Sequence, residues 1–146
     1  MKALIQRVSE ASVTVEGKLK GSCKKGFLIL FCSVESDDKT DIPLLAGKVS
    51  KLRIFEDENG KMNLNINDVG GKILTVSQFT LYADCRKGTR PGFSETAEPG
   101  FANEMYEYFL SLCMEKLGSA EHGRFGADMQ VELLNDGPVT IFLEFD

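Results

Sequence analysis

The run Phe27–Val34 constrains this chain more than any other stretch: it is apolar almost throughout and rich in β-formers. Such a run reads as a strand buried on both faces rather than one with a wet side. Hiding a strand in this way needs a substantial core. At 146 residues and 42% hydrophobic content the chain can supply one, most simply as a single globular domain over residues 1–146.

The flanking patterns fill in that domain. Lys2–Val8 and Ser12–Val15 read as strands, and Glu16-Gly17 turns the chain into Lys18–Cys23. Asp41 is placed to cap a helix with Pro43 in its first turn and Leu44, Leu45, Val49 and Leu52 at helical spacing. Arg53–Glu56 and Lys61–Leu64 flank the turn Asp57-Glu58-Asn59-Gly60 as a hairpin, and Gly70-Gly71 opens the strand Lys72–Gln78. Periodicity then vanishes from Tyr82 to Gly100, where Gly88, Pro91, Gly92 and Pro99 mark a long loop. Loops of that length in compact domains are more often functional than idle. A second helix starts near Pro99 and stops at Gly118, with Phe101, Met105, Tyr108, Phe109, Leu112 and Cys113 as its core-facing stripe. Met129–Leu134 and Val139–Phe145 close the chain as strands. The expected fold is α+β: two main helices and a strongly curved, mostly antiparallel, barrel-like sheet.

A net charge of −5 argues against a broad nucleic-acid-binding surface but leaves room for a local basic cluster. No run approaches the ~18 apolar residues of a membrane span. Gln6 and Arg7 fall where a signal peptide needs uninterrupted apolar residues. Cys23, Cys32, Cys85 and Cys113 lie far apart with no C-x-x-C pair, and Cys32 and Cys113 sit in apolar patterns as buried thiols. That usage suits a reduced, cytoplasmic protein better than a disulfide scaffold or a zinc site. Neither a metal nor a cofactor is expected.

Several segments can carry chemistry. Ser77-Gln78-Phe79-Thr80 ends a strand and enters the long loop, where polar side chains can face a pocket and backbone N–H groups can bind an oxyanion. The plainer reading has Ser77 and Thr80 satisfying local backbone groups. Arg86, Lys87 and Arg90 concentrate three cations in five positions, suited either to phosphate or to a solvated loop. His122, the only histidine, reads as a surface or turn residue, and nothing local joins it to Cys85 as a hydrolase pair. Glu56-Asp57-Glu58 belong to a hairpin turn rather than a cleft.

Asn135-Asp136-Gly137-Pro138 is the oddest stretch. Asp-Gly between apolar runs is a strong hairpin signal, yet the following proline removes the N–H that would begin the second strand. Either this is a plain turn with a misplaced proline, or Gly137-Pro138 is a cis X–Pro unit of the kind retained in tight turns. In the second case its two carbonyls are acceptors available to a ligand's ammonium group.

Taken together, "ALIQRV…SVTV" (3–15), "LRIFED…GKMNL" (52–64), "SQFTLYAD" (77–84), "GRFGADMQV" (123–131) and "NDGPVT" (135–140) closely resemble the D-aminoacyl-tRNA deacylase family. The matching segments also include Val69-Gly70-Gly71 and Arg86-Lys87-Gly88, and together they span nearly the whole chain in order. The resemblance implies a barrel-like subunit, a homodimer, and an active site combining the SQFT segment of one subunit with the Gly-cis-Pro of its partner. It implies hydrolysis of the ester joining a D-amino acid to the terminal adenosine of tRNA, and removal of glycine from mischarged tRNA for alanine. In this reading Gly137 and Pro138 form a filter that collides with an L side chain, and Arg7 orients it. Ser77, Gln78, Phe79 and Thr80 make the catalytic segment, with the N–H groups of Phe79 and Thr80 holding the oxyanion. Phe125 and Met129 line the pocket near the adenosine, and Arg86, Lys87 and Arg90 meet acceptor-stem phosphates. An acyl-enzyme through Thr80 is conceivable, but no matched segment supplies its base, so water assisted by the substrate's ribose hydroxyl is the favoured nucleophile. Two rivals stand beside this reading. One is an editing hydrolase like the module of archaeal threonyl-tRNA synthetase that removes L-serine; the other is a non-enzymatic tRNA-binding scaffold.

Overall fold

In the computed structural model, which describes residues 1–145, the Phe27–Val34 run contains strand β3 (Gly26–Cys32), and both its faces are covered. Phe27, Ile29 and Phe31 enter one core cluster, whereas Leu28 enters a second cluster with Leu74 and Val76. The strand's period of two divides its side chains between the two cores.

Around β3 the chain runs β1 (Lys2–Val15), β2 (Lys18–Cys23), α1 (Ile42–Lys51), β4 (Phe55–Glu56), β5 (Met62–Leu64), β6 (Lys72–Ser77), α2 (Pro99–Leu117), β7 (Glu121–His122) and β8 (Gln130–Glu144). The large sheet has the order β2-β1-β3-β6-β7, with β8 added along β1 and β4-β5 as a separate hairpin. β1 pairs antiparallel with β2, β3 and β8, while β3–β6 and β6–β7 are parallel. Parallel neighbours need long crossovers. Each crossover here carries a helix, α1 before β6 and α2 before β7. The result is the expected α+β domain with two helices, built on a mixed, strongly curved sheet.

Local chemistry explains the helix ends. Pro99 occupies the first turn of α2, the Glu98 carboxylate accepts from the N–H groups of Gly100 (3.0 Å) and Phe101 (3.4 Å), and Gly118 ends it in the left-handed region. Met105, Tyr106, Phe109 and Cys113 are its buried face, and Phe109 stacks on Phe31 at 4.9 Å between centroids. Asp41 precedes α1 but makes no side-chain cap bond. The cap belongs instead to Asp38, whose carboxylate accepts from Thr40 N at the start of a short 3-10 turn leading into the helix.

The sharpest departure from expectation lies at both chain ends. Lys2–Val8 and Ser12–Val15 are halves of one strand, and so are Met129–Leu134 and Val139–Phe145, because β1 and β8 pair on both sides of an interruption, from Lys2↔Glu144 to Thr14↔Gln130. Register shifts on either side of Val8 carry the pairing through. The parity of β1 flips there: Ala3 and Ile5 enter the first core, but Val8, Ala11 and Val13 enter the second. Bulges of this kind bend and twist a sheet. Asn135–Pro138 is therefore a bulge in an edge strand rather than a hairpin turn, and an edge is where a strand tolerates proline. Among the described residues no helix is long and apolar enough to cross a membrane.

Candidate active site

Because β3 and β6 run parallel, their carboxyl ends open side by side. Phe31 is registered with Ser77, and Gln78 N donates to Phe31 O at 2.8 Å as the last bond of that edge. The chain then tightens into a 3-10 turn over Phe79–Tyr82. The leading N–H groups of such a turn have no acceptor within it. Those of Phe79 and Thr80 find none elsewhere among the described residues.

This turn borders a cavity of about 550 Å³ walled by Phe31, Val76, Phe79, Phe125, Met129 and Val131, with Ser33, Ser77, Gln78 and Thr96 as its polar members. The space is concave, mostly apolar and marked by a few polar groups, as small-molecule sites usually are. Gly123 lets the far wall close: a Cβ there would meet Met129 Sδ at 2.5 Å. Cys32 also lines the cavity, and its Sγ approaches Phe79 O at 3.8 Å. Burial pushes the Cys32 thiol up to about 12, so it stays protonated and a poor nucleophile. Ser33 contributes a buried hydroxyl with no partner among the described residues.

Of the residues singled out from sequence, Ser77, Gln78, Phe79, Phe125 and Met129 meet in this cavity. Thr80 stands beside it, its Oγ1 accepting from Gln78 Nε2, so its own proton is free to donate. No carboxylate or imidazole bonds to the Thr80 hydroxyl among the described residues. His122 lies on β7 opposite Thr75 with Nδ1 2.7 Å from Gly123 O, and neither it nor Cys85 lines the cavity. Asp57 serves its hairpin turn, accepting from Lys61 N, Asn59 N and Asn63 Nδ2, which hold its carboxyl below the usual carboxylate range, the Lys61 N–H most of all.

A second group assembles on the β8 bulge. Arg7, only 5% exposed, donates from Nε to Asp136 O (2.8 Å) and from Nη1 to Ile54 O (2.6 Å). Asn135 braces the other side, with Oδ1 accepting from Val139 N at 2.8 Å and Nδ2 donating to Val139 O at 3.3 Å. Between these clamps the Gly137-Pro138 peptide is cis and exposed. Gly137 has φ +152°, and a Cβ there would stand 2.7 Å from Val139 N, so no other residue fits without strain. Neither Gly137 nor Pro138 lines this chain's own cavity.

The three cations form a third group, on a loop pinched shut by paired bonds between Asp84 and Gly92 (2.8 and 2.9 Å). Arg86 is bound bidentately by Asp84, both contacts at 2.8 Å, and that guanidinium holds the Asp84 carboxyl well below its usual range. Lys87 and Arg90 are exposed and make no ion pair among the described residues. Sequence reasoning missed Ser33, Thr96 and Phe93, the last of which packs on Phe79. Their places depend on the parallel β3–β6 pairing and on the return path of the loop, neither of which leaves a periodic signal.

Comparison with known proteins gives a consistent picture. A family model described as D-Tyr-tRNA(Tyr) deacylase matches residues 4–144. The chain is 54% identical over 144 residues to the D-aminoacyl-tRNA deacylase of Thermosipho africanus, covering 99% of this chain and 97% of that one. It is likewise 54% identical to the D-aminoacyl-tRNA deacylase of Ruegeria pomeroyi, over 99% of both chains. Among solved structures, one described as a c-Myc DNA unwinding element binding protein superposes with a TM-score of 0.93 at 38% identity, over 100% of this chain and 99% of that one. A probable eukaryotic D-amino acid tRNA deacylase shares the fold, with a TM-score of 0.82 at 15% identity over 97% of each chain.

Proposed function

The chain belongs to the D-Tyr-tRNA(Tyr) deacylase family, and from that premise we propose that it is a hydrolase that cleaves the ester of D-aminoacyl-tRNA and of glycine mischarged on tRNA for alanine. The observation that carries this reading is the pair of unpartnered N–H groups, Phe79 and Thr80, at the border of an apolar cavity. Donors held in place before the reaction are what a tetrahedral ester intermediate requires.

The terminal adenosine enters the cavity between Phe125 and Met129 and brings its aminoacyl ester to the Phe79–Thr80 turn. Water adds to the ester carbonyl, whose oxygen becomes the oxyanion held by the two N–H groups. The bond from the acyl carbon to the ribose oxygen then breaks, and the water proton reaches that leaving oxygen through the neighbouring ribose hydroxyl. Thr80, already accepting from Gln78 and lacking a base, donates rather than attacks.

Stereochemical choice falls to Gly137-Pro138 of a second subunit. In a homodimer these residues project into the partner's cavity, where their carbonyls accept from the substrate ammonium and leave no room for an L side chain. Rejection by backbone is indifferent to which D side chain is present. Supporting this are the exposure of Gly137 and Pro138 outside their own cavity and the exposed apolar side chains Leu134 and Phe142 on the same strand. In this reading the protein acts on charged tRNA in the cytoplasm, with Lys87 and Arg90 as its phosphate contacts and Arg86 as a third.

The test is hydrolysis of matched D- and L-tyrosyl-tRNA together with glycyl-tRNA. Turnover of D-tyrosyl and glycyl esters with the L ester spared is expected. Equal rates on the two enantiomers would overturn the filter, and tRNA binding without ester loss would favour a scaffold.

A further inference from the structure

We infer that Phe93 is a positioning residue for the hydrolytic step, tying the cation-bearing loop to the segment that supplies the oxyanion donors. The inference rests on the reading above, in which the Phe79 and Thr80 N–H groups hold the oxyanion.

The Phe79 ring is 56% exposed, so the core does not fix it. Its one aromatic neighbour among the described residues is Phe93, with centroids 5.0 Å apart and planes at 60°. Tilted packing at this distance is a favoured arrangement for two rings. Phe93 is itself 36% exposed, and what holds it is backbone on either side. Gly92, just before it, bonds Asp84 in both directions. Just after it, Thr96 donates to Phe93 O from both N (3.2 Å) and Oγ1 (2.7 Å), and Thr96 lines the cavity.

The loop is therefore a closed unit. It leaves the catalytic segment two residues after Tyr82, carries Lys87 and Arg90 around its tip, and returns through Gly92 to place Phe93 on Phe79. The loop is joined covalently only to the far end of the 3-10 turn, whose beginning is anchored through the Gln78 N–H to Phe31 O bond. The Phe93 ring adds a contact from the loop to that beginning, where the first oxyanion donor lies. Engagement of the loop by phosphate would then steady the same turn that performs the chemistry.

The experiment compares the full chain with Phe93→Ala and Phe93→Tyr, using D-tyrosyl-tRNA turnover, thermal unfolding and 15N amide spectra. Phe93→Ala should lower kcat about tenfold, short of the loss of a whole oxyanion donor, with KM held within about twofold. Its unfolding midpoint should stay close to that of the parent, while the Phe79 and Thr80 amide signals shift or broaden. Phe93→Tyr should restore both kcat and the signals. Unchanged kcat, a rise in KM alone, unmoved Phe79 and Thr80 signals, or a Tyr variant as slow as the Ala variant would each overturn the coupling. A parent chain without turnover would remove the reading beneath it, and the amide signals would still report separately whether the ring contact exists.

Discussion

The Ser77–Tyr82 turn and the Asn135–Pro138 bulge are both places where a strand leaves its ladder, yet they finish as chemical opposites. The first presents unpartnered N–H donors at the border of a concave, mostly apolar space. The second presents backbone outside the β1 ladder on an exposed edge, between Asn135↔Val8 and Thr140↔Gln6, and Pro138 has no N–H to donate. An aminoacyl ester carries both demands: its carbonyl oxygen needs donors as charge develops, and its ammonium needs acceptors. Neither region answers both. On the proposed reading, catalysis and selection therefore occupy separate backbones, and that reading requires the two to meet.

The largest expected effect tests that meeting. One variant loses the donor wall (Gln78→Ala with Thr80→Ala), and another loses the filter (Gly137→Ala with Pro138→Ala). Each alone should be nearly inactive. Unfolded together in equal amounts and refolded, the chains should form mixed dimers in which one site carries both lesions and the other neither. About a quarter of all sites should then work, if pairing is random across a two-fold interface. Mixed dimers seen by native mass spectrometry without recovered activity would return the filter to its own chain or exclude it from the site.

A smaller effect comes from loosening one region and leaving the other intact. Arg7→Ala removes the donors to Asp136 O and Ile54 O. Leaving the buried Ile54 carbonyl unsatisfied costs about 1–3 kcal/mol, so the unfolding midpoint should fall measurably. The preference for D-tyrosyl over L-tyrosyl ester should narrow more than the D rate itself declines. Arg7→Lys should not rescue either property, since a single ammonium cannot reproduce the two-pronged geometry of the guanidinium. Unchanged selectivity in the Ala variant would detach the Arg7 clamp from stereochemistry.

What the sequence disclosed follows the same division. Short-range chemistry was legible: Pro99 and Gly118 bracket α2, the Asp57–Gly60 turn joins its hairpin, and β3 is buried on both faces. The SQFT segment was placed at a strand end that does border a cavity. Long-range pairing was not legible. A bulge and a hairpin turn both draw on Asn, Asp and Gly, so Asn135–Pro138 reads as a chain reversal until β1 is seen alongside both halves of β8. The parallel β3–β6 pair likewise leaves no local mark, which is why Ser33 and Thr96 could not be assigned to the cavity wall.

Within the donor wall, Thr80→Ala should slow turnover by about ten- to a hundredfold without abolishing it. A lost hydroxyl donor weakens the site while the two backbone N–H groups remain. Quenched reactions should show no ester on Thr80 by mass spectrometry. A trapped acyl-enzyme would replace water with Thr80 as nucleophile and would demand a base that Gln78, its bonded neighbour, does not supply.

The smallest effect lies outside both regions and asks whether the cations assist either. Arg86 is already engaged by Asp84, and its guanidinium keeps that carboxyl ionised well below neutral pH, so Arg86 offers little free charge. Lys87 and Arg90 have no such partner among the described residues. Replacing Lys87 and Arg90 together with Gln should therefore raise KM for charged tRNA and reduce the slope of log affinity against log salt by about one to two, one counterion per lost phosphate contact. Arg86→Gln should change that slope less than either single replacement. A D-tyrosyl-adenosine substrate has no acceptor-stem phosphate, so the penalty on it should shrink. Equal penalties on the short and full-length substrates would make the loop part of the cavity wall rather than a phosphate contact. A larger loss from Arg86 than from Lys87 would mean that tRNA binding pulls Arg86 away from Asp84.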